Sequence, residues 1–185
     1  IQLPFFSENR TVLLYDSVSS PVPAGHSRWT LRLLEEQAKV VLDVYELPYD
    51  PMYPVVCMDE KPYQLLDDVR EPLSARPGSN LKTDSEYRRN GTCSIFAFVE
   101  PLGGRHHVSV HERRTAIDWA VEIKLEIHYT PKHGSWLDIA EIELNVMTRQ
   151  CLNRRIDNIS NLRKELSAWE VERDTVAAKV NWQLR

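Results

Sequence analysis

The sequence V-V-C-M-D-E-K runs from Val55 to Lys61, and it is the stretch from which the fold is best predicted. A short apolar run rich in valine is typical of a buried strand. The abrupt change to charge predicts that this strand ends at Asp59. An acid in that position is a candidate metal ligand, although an Asp after a strand is more often a cap or a turn residue.

A second candidate acid, Glu141, lies in a segment whose sequence predicts a helix. Ser135 and Asp138 have the spacing of a capping box, and the segment from there to about residue 152 has helical periodicity. Its apolar stripe consists of Leu137, Ala140, Leu144, Met147 and Cys151. We predict that Glu141 lies at the edge of this stripe and that Glu143 points into solvent. Asp59 and Glu141 are therefore candidate oxygen ligands for divalent cations.

The rest of the sequence alternates predicted helices and strands. Scattered Pro, Ser and Gly predict a poorly ordered lead-in over residues 1–26. Apolar residues at helical spacing predict an amphipathic helix from Ser27 to just before Pro48. Residues 62–90 are polar and contain several prolines, so we expect a long excursion on the surface.

The second half of the chain predicts a hairpin, two more helices and one more strand. Thr92–Val99 and His106–Val110 flank a Pro-Leu-Gly-Gly turn, which is typical of a hairpin. Thr115 is a candidate cap for a short helix, and alternating residues over Leu125–Tyr129 predict a strand. A final amphipathic helix is expected over residues 159–178.

Composition restricts the function only in part. No stretch of the 185 residues approaches the roughly 18 apolar residues of a membrane helix, so we expect a soluble protein without a membrane partner. A net charge of −4 limits any contact with nucleic acid to local basic patches. Without a C-x-x-C pair, Cys57, Cys93 and Cys151 are predicted to be buried, reduced thiols. We interpret the remaining metal-type side chains as ordinary surface histidines, namely His106, His107 and His111.

Several segments, in order, resemble the motifs of one family. They are V-V-C-M-D-E-K-P-Y at 55–63, E-Y-R-R-N-G-T at 86–92, E-R-R-T at 112–115 and H-Y-T-P-K-H-G-S-W-L-D-I-A-E-I-E at 128–143. This series is similar to the mariner-related group of bacterial insertion-sequence transposases, which belong to the DDE endonuclease superfamily. G-H-S-R-W-T-L-R-L-L at 25–34 resembles the start of that family's second helix-turn-helix.

The resemblance implies a fold and a division of the chain. Residues 51–185 are expected to form an α/β endonuclease domain of the ribonuclease H-like kind, with a mixed sheet flanked by helices. Residues 1–50 are expected to hold the lead-in and the remnant of a helix-turn-helix DNA-binding region. The family also implies DNA as the partner, in the form of the terminal repeats of the element, and a place at the nucleoid in the bacterial cytoplasm.

The resemblance also assigns roles to individual residues. It makes Asp59 the first catalytic aspartate and Glu141 the closing glutamate, and both are ligands of Mg²⁺ or Mn²⁺. Basic motifs of the family that contact DNA phosphates match Lys61, Arg88, Arg89, Arg113, Arg114, Lys132 and His133. A solvated or salt-bridged surface is an equally good interpretation of any one of these cations, and Lys132 and His133 equally well fix the loop in which they lie.

One departure from the family concerns the second aspartate, which the family carries at the end of another central strand followed by a helix. Only ten residues, 120–129, separate Trp119 from Thr130, whereas a strand with its crossover helix needs roughly 30. Asp118 lies in a short helical pattern and does not fit this role. We therefore predict a sheet that lacks one central strand and its helix, whose flanking strands pair directly, and that binds metal weakly.

Three functions remain open, and whether the chain is an enzyme is one of the open points. The first is a transposase-derived protein whose parent cut and transferred DNA strands by two-metal phosphoryl transfer, and which is inactive in this copy. The second is a non-catalytic DNA-binding or interaction remnant that modulates a full-length transposase, either with that protein or as a homo-oligomer. The third is a decayed reading frame that does not fold cooperatively.

Overall fold

A computed structural model describes residues 11–15, 22, 24–112, 125–129 and 139–179, with the backbone alone for 11–15 and 125–129. The strands in these ranges are β1 (Thr11–Tyr15), β2 (Val55–Asp68), β3 (Tyr87–Glu100), β4 (Arg105–His111) and β5 (Leu125–Tyr129). The helices are α1 (Leu31–Tyr45), α2 (Ile139–Gln150) and α3 (Ile159–Thr175).

The strands form one mixed sheet in the order β4-β3-β2-β1-β5. Strands β2, β3 and β4 are an antiparallel meander. Strand β1 is parallel to β2, and β5 is parallel to β1. This α/β architecture, a mixed sheet with helices, is compatible with the ribonuclease H-like fold of the DDE endonucleases.

Strand β1 overturns two predictions. The lead-in predicted over residues 1–26 is wrong for Thr11–Tyr15, which form an inner strand of the sheet. Direct pairing of the strands on either side of the predicted gap is also wrong, because β1 lies between β2 and β5. The physical reason is composition: T-V-L-L-Y is a run of β-branched, apolar and aromatic residues, which suits an inner parallel strand.

Strand β2 does not end at Asp59, as its sequence predicted. It continues to Asp68 because β3 runs antiparallel beside it and supplies hydrogen-bond partners from Cys57 to Asp68, with an irregularity between Gln64 and Leu66. Polar residues are tolerated there since, apart from the buried Leu65, residues 62–68 of β2 are partly or fully exposed. The surface excursion predicted over residues 62–90 is thereby reduced to the segment 69–86.

The hairpin and the three helices with described bounds confirm the predicted pattern. The turn between β3 and β4 closes with a hydrogen bond of 2.8 Å from the Gly104 N–H to the Glu100 carbonyl. Gly104 has a φ of +67°, and a Cβ there would come within 2.8 Å of the Ala177 backbone, so only glycine fits. Thr30 caps α1 and Asn158 caps α3, each by accepting a backbone N–H in the first turn of its helix.

The two clusters of buried apolar residues that include the helices lie on one face of the sheet, and Val56, Met58 and Phe96 are buried on its other face. Ile95, Ala97 and Val99 alternate along β3 onto the face of the helices, and residues from all three helices pack with the residues there. Apolar side chains that the helices bury on it include Val41, Val44, Ala140, Leu144, Met147, Leu162, Leu166 and Trp169. The three cysteines are buried and free, which confirms their predicted state.

Part of the predicted pattern lies outside the described residues. This applies to the short helix capped by Thr115, to Asp118 and to the Ser135 cap. It also applies to four of the predicted DNA contacts, namely Arg113, Arg114, Lys132 and His133.

The prediction that His106 is a surface residue is wrong. Its side chain is 1% exposed, with Nδ1 3.0 Å from the Asp174 carboxylate and Nε2 3.5 Å from that of Glu143. The reason is tertiary: α3 packs along β4, and its carboxylates accept the backbone N–H groups of that strand. Asp174 accepts from His106 at 2.9 Å and Glu170 accepts from Val108 at 3.0 Å. These acids cover N–H groups that an edge strand leaves unpaired.

The charges in this cluster are mutually dependent. Burial by itself would lower the pKa of His106, but the hydrogen bonds and charges of Glu143 and Asp174 outweigh it and raise the pKa above the ordinary value. Burial by itself would raise the pKa of Glu143, yet the hydrogen bonds and charges of His106 and Arg173 hold it below the ordinary value. The folded protein therefore favours the ion pair.

We expect this cluster to make stability depend on pH. A raised pKa means that the contribution of protonated His106 is complete below its ordinary pKa of 6.5 and is lost as the pH rises through the folded value. Urea unfolding between pH 6 and 9 should show a loss of up to about 1.4 kcal/mol per pH unit. The loss should disappear in His106→Gln and persist in His111→Gln, because His111 contacts Ser109 rather than a carboxylate. An equal slope in both variants would contradict this account.

Candidate active site

Asp59 lies in the middle of β2, half-buried, and opposite Ala97 of β3. Since register partners share a face, Asp59 is on the face where the helices pack. Its Oδ1 accepts the Glu60 N–H at 2.7 Å. The preceding residue, Met58, is the register partner of Tyr15, the last residue of β1. Asp59 is thus placed at the level where the parallel strands β1 and β5 end, and this edge is the usual ligand-binding edge of α/β sheets.

Glu141 lies in the first turn of α2 and is half-buried. The two residues before it, Ile139 and Ala140, are buried in one apolar cluster with Cys57 and Val99. Cys57 precedes Asp59 by two positions on the same face of β2. The structure therefore brings the two predicted carboxylates onto adjoining elements, with the start of α2 seated against the part of β2 that leads into Asp59.

The prediction that Glu143 points into solvent is wrong. Its side chain is 2% exposed, and both carboxylate oxygens accept hydrogen bonds from Arg173 at 2.7 Å. At about 100° per residue, Glu143 and Glu141 lie roughly 80° on either side of the centre of the apolar stripe, so the helical phase by itself does not distinguish them. Glu143 is the buried acid, and its charge is neutralised by Arg173, a residue that the local sequence did not indicate.

The hydroxyl of Tyr45 connects the two elements that carry the carboxylates. It accepts the backbone N–H of Ile139 at 3.3 Å and lies 3.3 Å from the Cys57 Sγ. The N–H of Ile139 belongs to the first turn of α2, whose donors have no partner within the helix. The role of Tyr45 could not be predicted from the sequence, because one tyrosine at the end of an amphipathic helix gives no signal of a contact nearly a hundred residues away.

The described cations lie at different distances from Asp59 along the hairpin. Lys61 follows it by two positions on the same face of β2 and is half-buried. Arg88 and Arg89 are exposed at the far end of the hairpin, and the eight positions between Ala97 and Arg89 span roughly 26 Å along the strand. Among the described residues, Arg88 has a long, exposed ion pair of 3.8 Å with Asp67. Lys61 is the described cation placed closest to Asp59 in the ladder, and Arg88 and Arg89 lie apart from it, near Asp67 and Asp68.

The donor set fits a hard divalent cation only in part. Carboxylate oxygens are the ligands that Mg²⁺ and Mn²⁺ prefer, and Asp59 and Glu141 supply them from adjoining elements. Within the described ranges, no group of three or more His, Cys, Asp or Glu side chains has a metal-binding arrangement. Two carboxylates fill a small part of an octahedral shell, so these residues alone would hold a cation weakly.

A mixed sheet with two carboxylates on adjoining elements has the donor chemistry of a metal-dependent nuclease, and comparison with known families points the same way. Residues 106–163 match the family described as DDE superfamily endonuclease. The matched segment includes Glu141 and begins after Asp59. It supports a transposase-type DDE endonuclease, a class that acts on DNA and usually uses divalent metals. No curated protein and no solved structure matches the chain.

Across the described residues, no helix has the length and apolar character needed to cross a membrane.

Replacing Tyr45 with Phe should loosen the start of α2. The variant removes the acceptor of the Ile139 N–H, so we expect a loss of about 0.5–1.5 kcal/mol in the free energy of unfolding. Urea denaturation measures this loss. Tyr53→Phe is the matched control, since Tyr53 is 56% exposed and its hydroxyl has no such bridging position. Equal effects of the two substitutions would show that the Tyr45 hydroxyl does not fasten α2.

Proposed function

We propose that this chain is a transposase-derived DNA-processing domain whose divalent-cation site is built on Asp59 and Glu141. The observation that carries the proposal is the seating of the first turn of α2 against β2, through Cys57 and Ala140. It supports the proposal because the helix that carries an acid of the matched family segment packs against the strand that carries Asp59. The chemistry of the parent family is DNA strand cleavage and transfer, and bacterial insertion sequences are the proposed origin.

The chain's own residues define what such a site does. Asp59 and Glu141 hold the cation from a strand and a helix that the core fixes relative to each other. When bound, Mg²⁺ or Mn²⁺ supplies the positive charge that activates a water or hydroxyl and stabilises the leaving oxygen of a phosphodiester. Lys61, two residues after Asp59, neutralises a neighbouring backbone phosphate of the DNA.

With Asp59 and Glu141 as the only ligands, we expect weak metal binding and little cleavage. Two metal ions about 4 Å apart need carboxylates that bridge or flank both of them. A pair of acids lacks the oxygens for that arrangement. With these two ligands alone, we expect the protein to bind a metal ion weakly and to cleave DNA inefficiently.

Removing either carboxylate should abolish stabilisation by Mn²⁺. A ligand that binds only the folded state raises the unfolding temperature, and about 1 kcal/mol corresponds to about 2–4 °C in a domain of this size. We expect such a shift in the unaltered chain at millimolar Mn²⁺, measured by differential scanning fluorimetry. Asp59→Asn and Glu141→Gln should lose it.

Asp67→Asn is the matched control, because it removes an acid from the same strand at the exposed end of the hairpin. It should keep the Mn²⁺ shift. The proposal fails if all three variants respond like the unaltered chain, or if the control loses the shift as completely as the other two.

A second candidate function is DNA binding without cleavage, as a remnant that modulates a full-length transposase. The exposure of Arg88 and Arg89, roughly 26 Å along β3 from the level of Asp59, favours it. These two exposed cations lie beyond the reach of the proposed metal site. Such a role needs only the sequence-independent attraction of cations to phosphates.

Replacing both Arg88 and Arg89 with Ala should weaken DNA binding and its dependence on salt. Each lost phosphate contact lowers the slope of log K against log salt by about 0.9, so we expect a change of about 2. Fluorescence anisotropy of a labelled duplex between 50 and 200 mM NaCl measures both quantities. Lys164→Ala, an exposed cation of α3, should leave the slope unchanged. An unaltered slope in the double variant would exclude this surface as a DNA contact.

A further inference from the structure

A cavity of about 350 Å³ lies between the end of α1, the start of β2, the turn after β3 and the start of α2. Its described walls include the apolar side chains of Val44, Val55, Leu102 and Ile139. Apolar cavities of about 300–1,000 Å³ with a few well-placed polar groups are typical of sites for small organic molecules. The cavity therefore has room for one small ligand.

The cavity is separate from the proposed metal ligands. Neither Asp59 nor Glu141 is among the described residues that line it. Val55, which does line it, precedes Asp59 by four positions, roughly 13 Å along β2. An inference about the cavity consequently does not depend on metal binding.

One buried carboxylate in the cavity wall has an oxygen without a partner. Glu100 is 5% exposed, and its Oε2 accepts a hydrogen bond from the Nε of Arg105. Its Oε1 is buried and has no hydrogen-bond partner among the described residues. Buried acceptors of this kind are rare in native proteins because they are destabilising. The Oε1 atom is therefore suited to accept a hydrogen bond from a bound molecule.

The neighbours of Glu100 hold its carboxylate at the cavity. A Cβ at Gly103 would come within 2.4 Å of the Glu100 carboxyl carbon, so this carboxylate lies directly against the turn between β3 and β4. The pKa of Tyr49 is raised, first by burial and next by the nearby carboxylate of Glu100. Tyr49 also lines the cavity. An acceptor that is already in position binds a donor without a large cost of ordering.

The charge of the lining favours a positively charged ligand. The acids Glu100 and Asp50 belong to it, whereas no lysine, arginine or histidine is among the described lining residues. Arg105 balances one of the two negative charges from outside the lining. Tyr49 and Tyr53 also line the cavity, and aromatic faces attract cations. Charge and aromatic surface together select a cation with an apolar body.

We propose that this cavity binds a small organic cation, whose ammonium or amidinium group donates to the Oε1 of Glu100 and whose aromatic or aliphatic body lies against the apolar wall. Hydrogen bonds between charged groups are the strong ones, and this bond gives the site its selectivity. Tyr45 and Ile139 line the cavity as well, and the Ile139 N–H donates to the Tyr45 hydroxyl. The amide of Ile139 therefore reports whether the cavity is occupied.

Titration of the whole chain with benzamidine, an amidinium group on a phenyl ring, tests the proposal. We expect saturable chemical-shift changes in ¹H–¹⁵N spectra at the amides of Glu100, Leu102 and Ile139. Benzamidine should bind about tenfold tighter, or more, than benzamide, which has nearly the same shape without the charge. Equal binding of the two compounds would overturn the selection of a cation.

Replacing Glu100 with Gln keeps the size of the side chain and removes its charge, so it should weaken benzamidine binding by about tenfold or more. Glu71→Gln is the matched control, because Glu71 is an exposed acid outside the cavity lining. It should bind benzamidine as tightly as the unaltered chain. Should Glu100→Gln fail to fold, Tyr49→Leu replaces it, because Tyr49 is 46% exposed. Loss of this aromatic face should weaken binding by about threefold.

A variant of the metal site determines where benzamidine binds. Asp59→Asn should bind it as tightly as the unaltered chain. Loss of binding in Asp59→Asn, with binding retained in Glu100→Gln, would show that the amidinium group binds at the proposed metal site, and it would overturn the inference. The inference is also overturned if benzamidine at millimolar concentration produces no saturable shift at the three amides.

Discussion

The packing of the first turn of α2 against the middle of the central hairpin is the contact on which the rest of the site depends. Ile139 and Ala140 share a buried cluster with Cys57 and Val99, and the Tyr45 hydroxyl fastens the start of the helix to the same place. The contact is apolar and close-packed, so it fixes distances that two flexible acidic side chains by themselves would not hold. Glu141 is thus carried on a helix that packs against the strand of Asp59 through apolar neighbours.

Buried charge makes a second connection, between α2, α3 and the edge of the sheet. Glu143, Arg173, His106 and Asp174 lie in one network in which acids and bases alternate. Removing one member would leave the others buried without a counter-charge, which costs more than the pair contributes when intact. The network connects α2 to α3 and β4 through Glu143, and the same helix carries Glu141, the acid that we propose as a metal ligand.

The fold could be predicted from the sequence wherever a segment decides its own conformation. The hairpin of β3 and β4, the strand Leu125–Tyr129 and the three helices follow from alternation, helical spacing and turn residues, and the structure confirms them. The predictions were wrong where the conformation of a segment depends on the strand that pairs with it. Strand β2 extends past Asp59 because β3 pairs with it. Residues 11–15 form a strand because this apolar run pairs in parallel with β2 inside the sheet. Neither of these pairings can be predicted from the local sequence of the strand.

The predictions about the candidate site can be divided in the same way. The sequence by itself determined the chemical groups of the candidate site, which are the oxygen donors Asp59 and Glu141 and the cation Lys61. The motifs identify these residues, and their identity does not depend on packing. Tertiary structure decided which of the two acids of α2 is buried, since the counter-charge of Glu143 comes from Arg173, thirty residues away. It also decided that an N-terminal strand stands next to the strand of Asp59. Strand order is fixed by the burial of whole elements against one another, and that energy is spread over contacts remote in sequence.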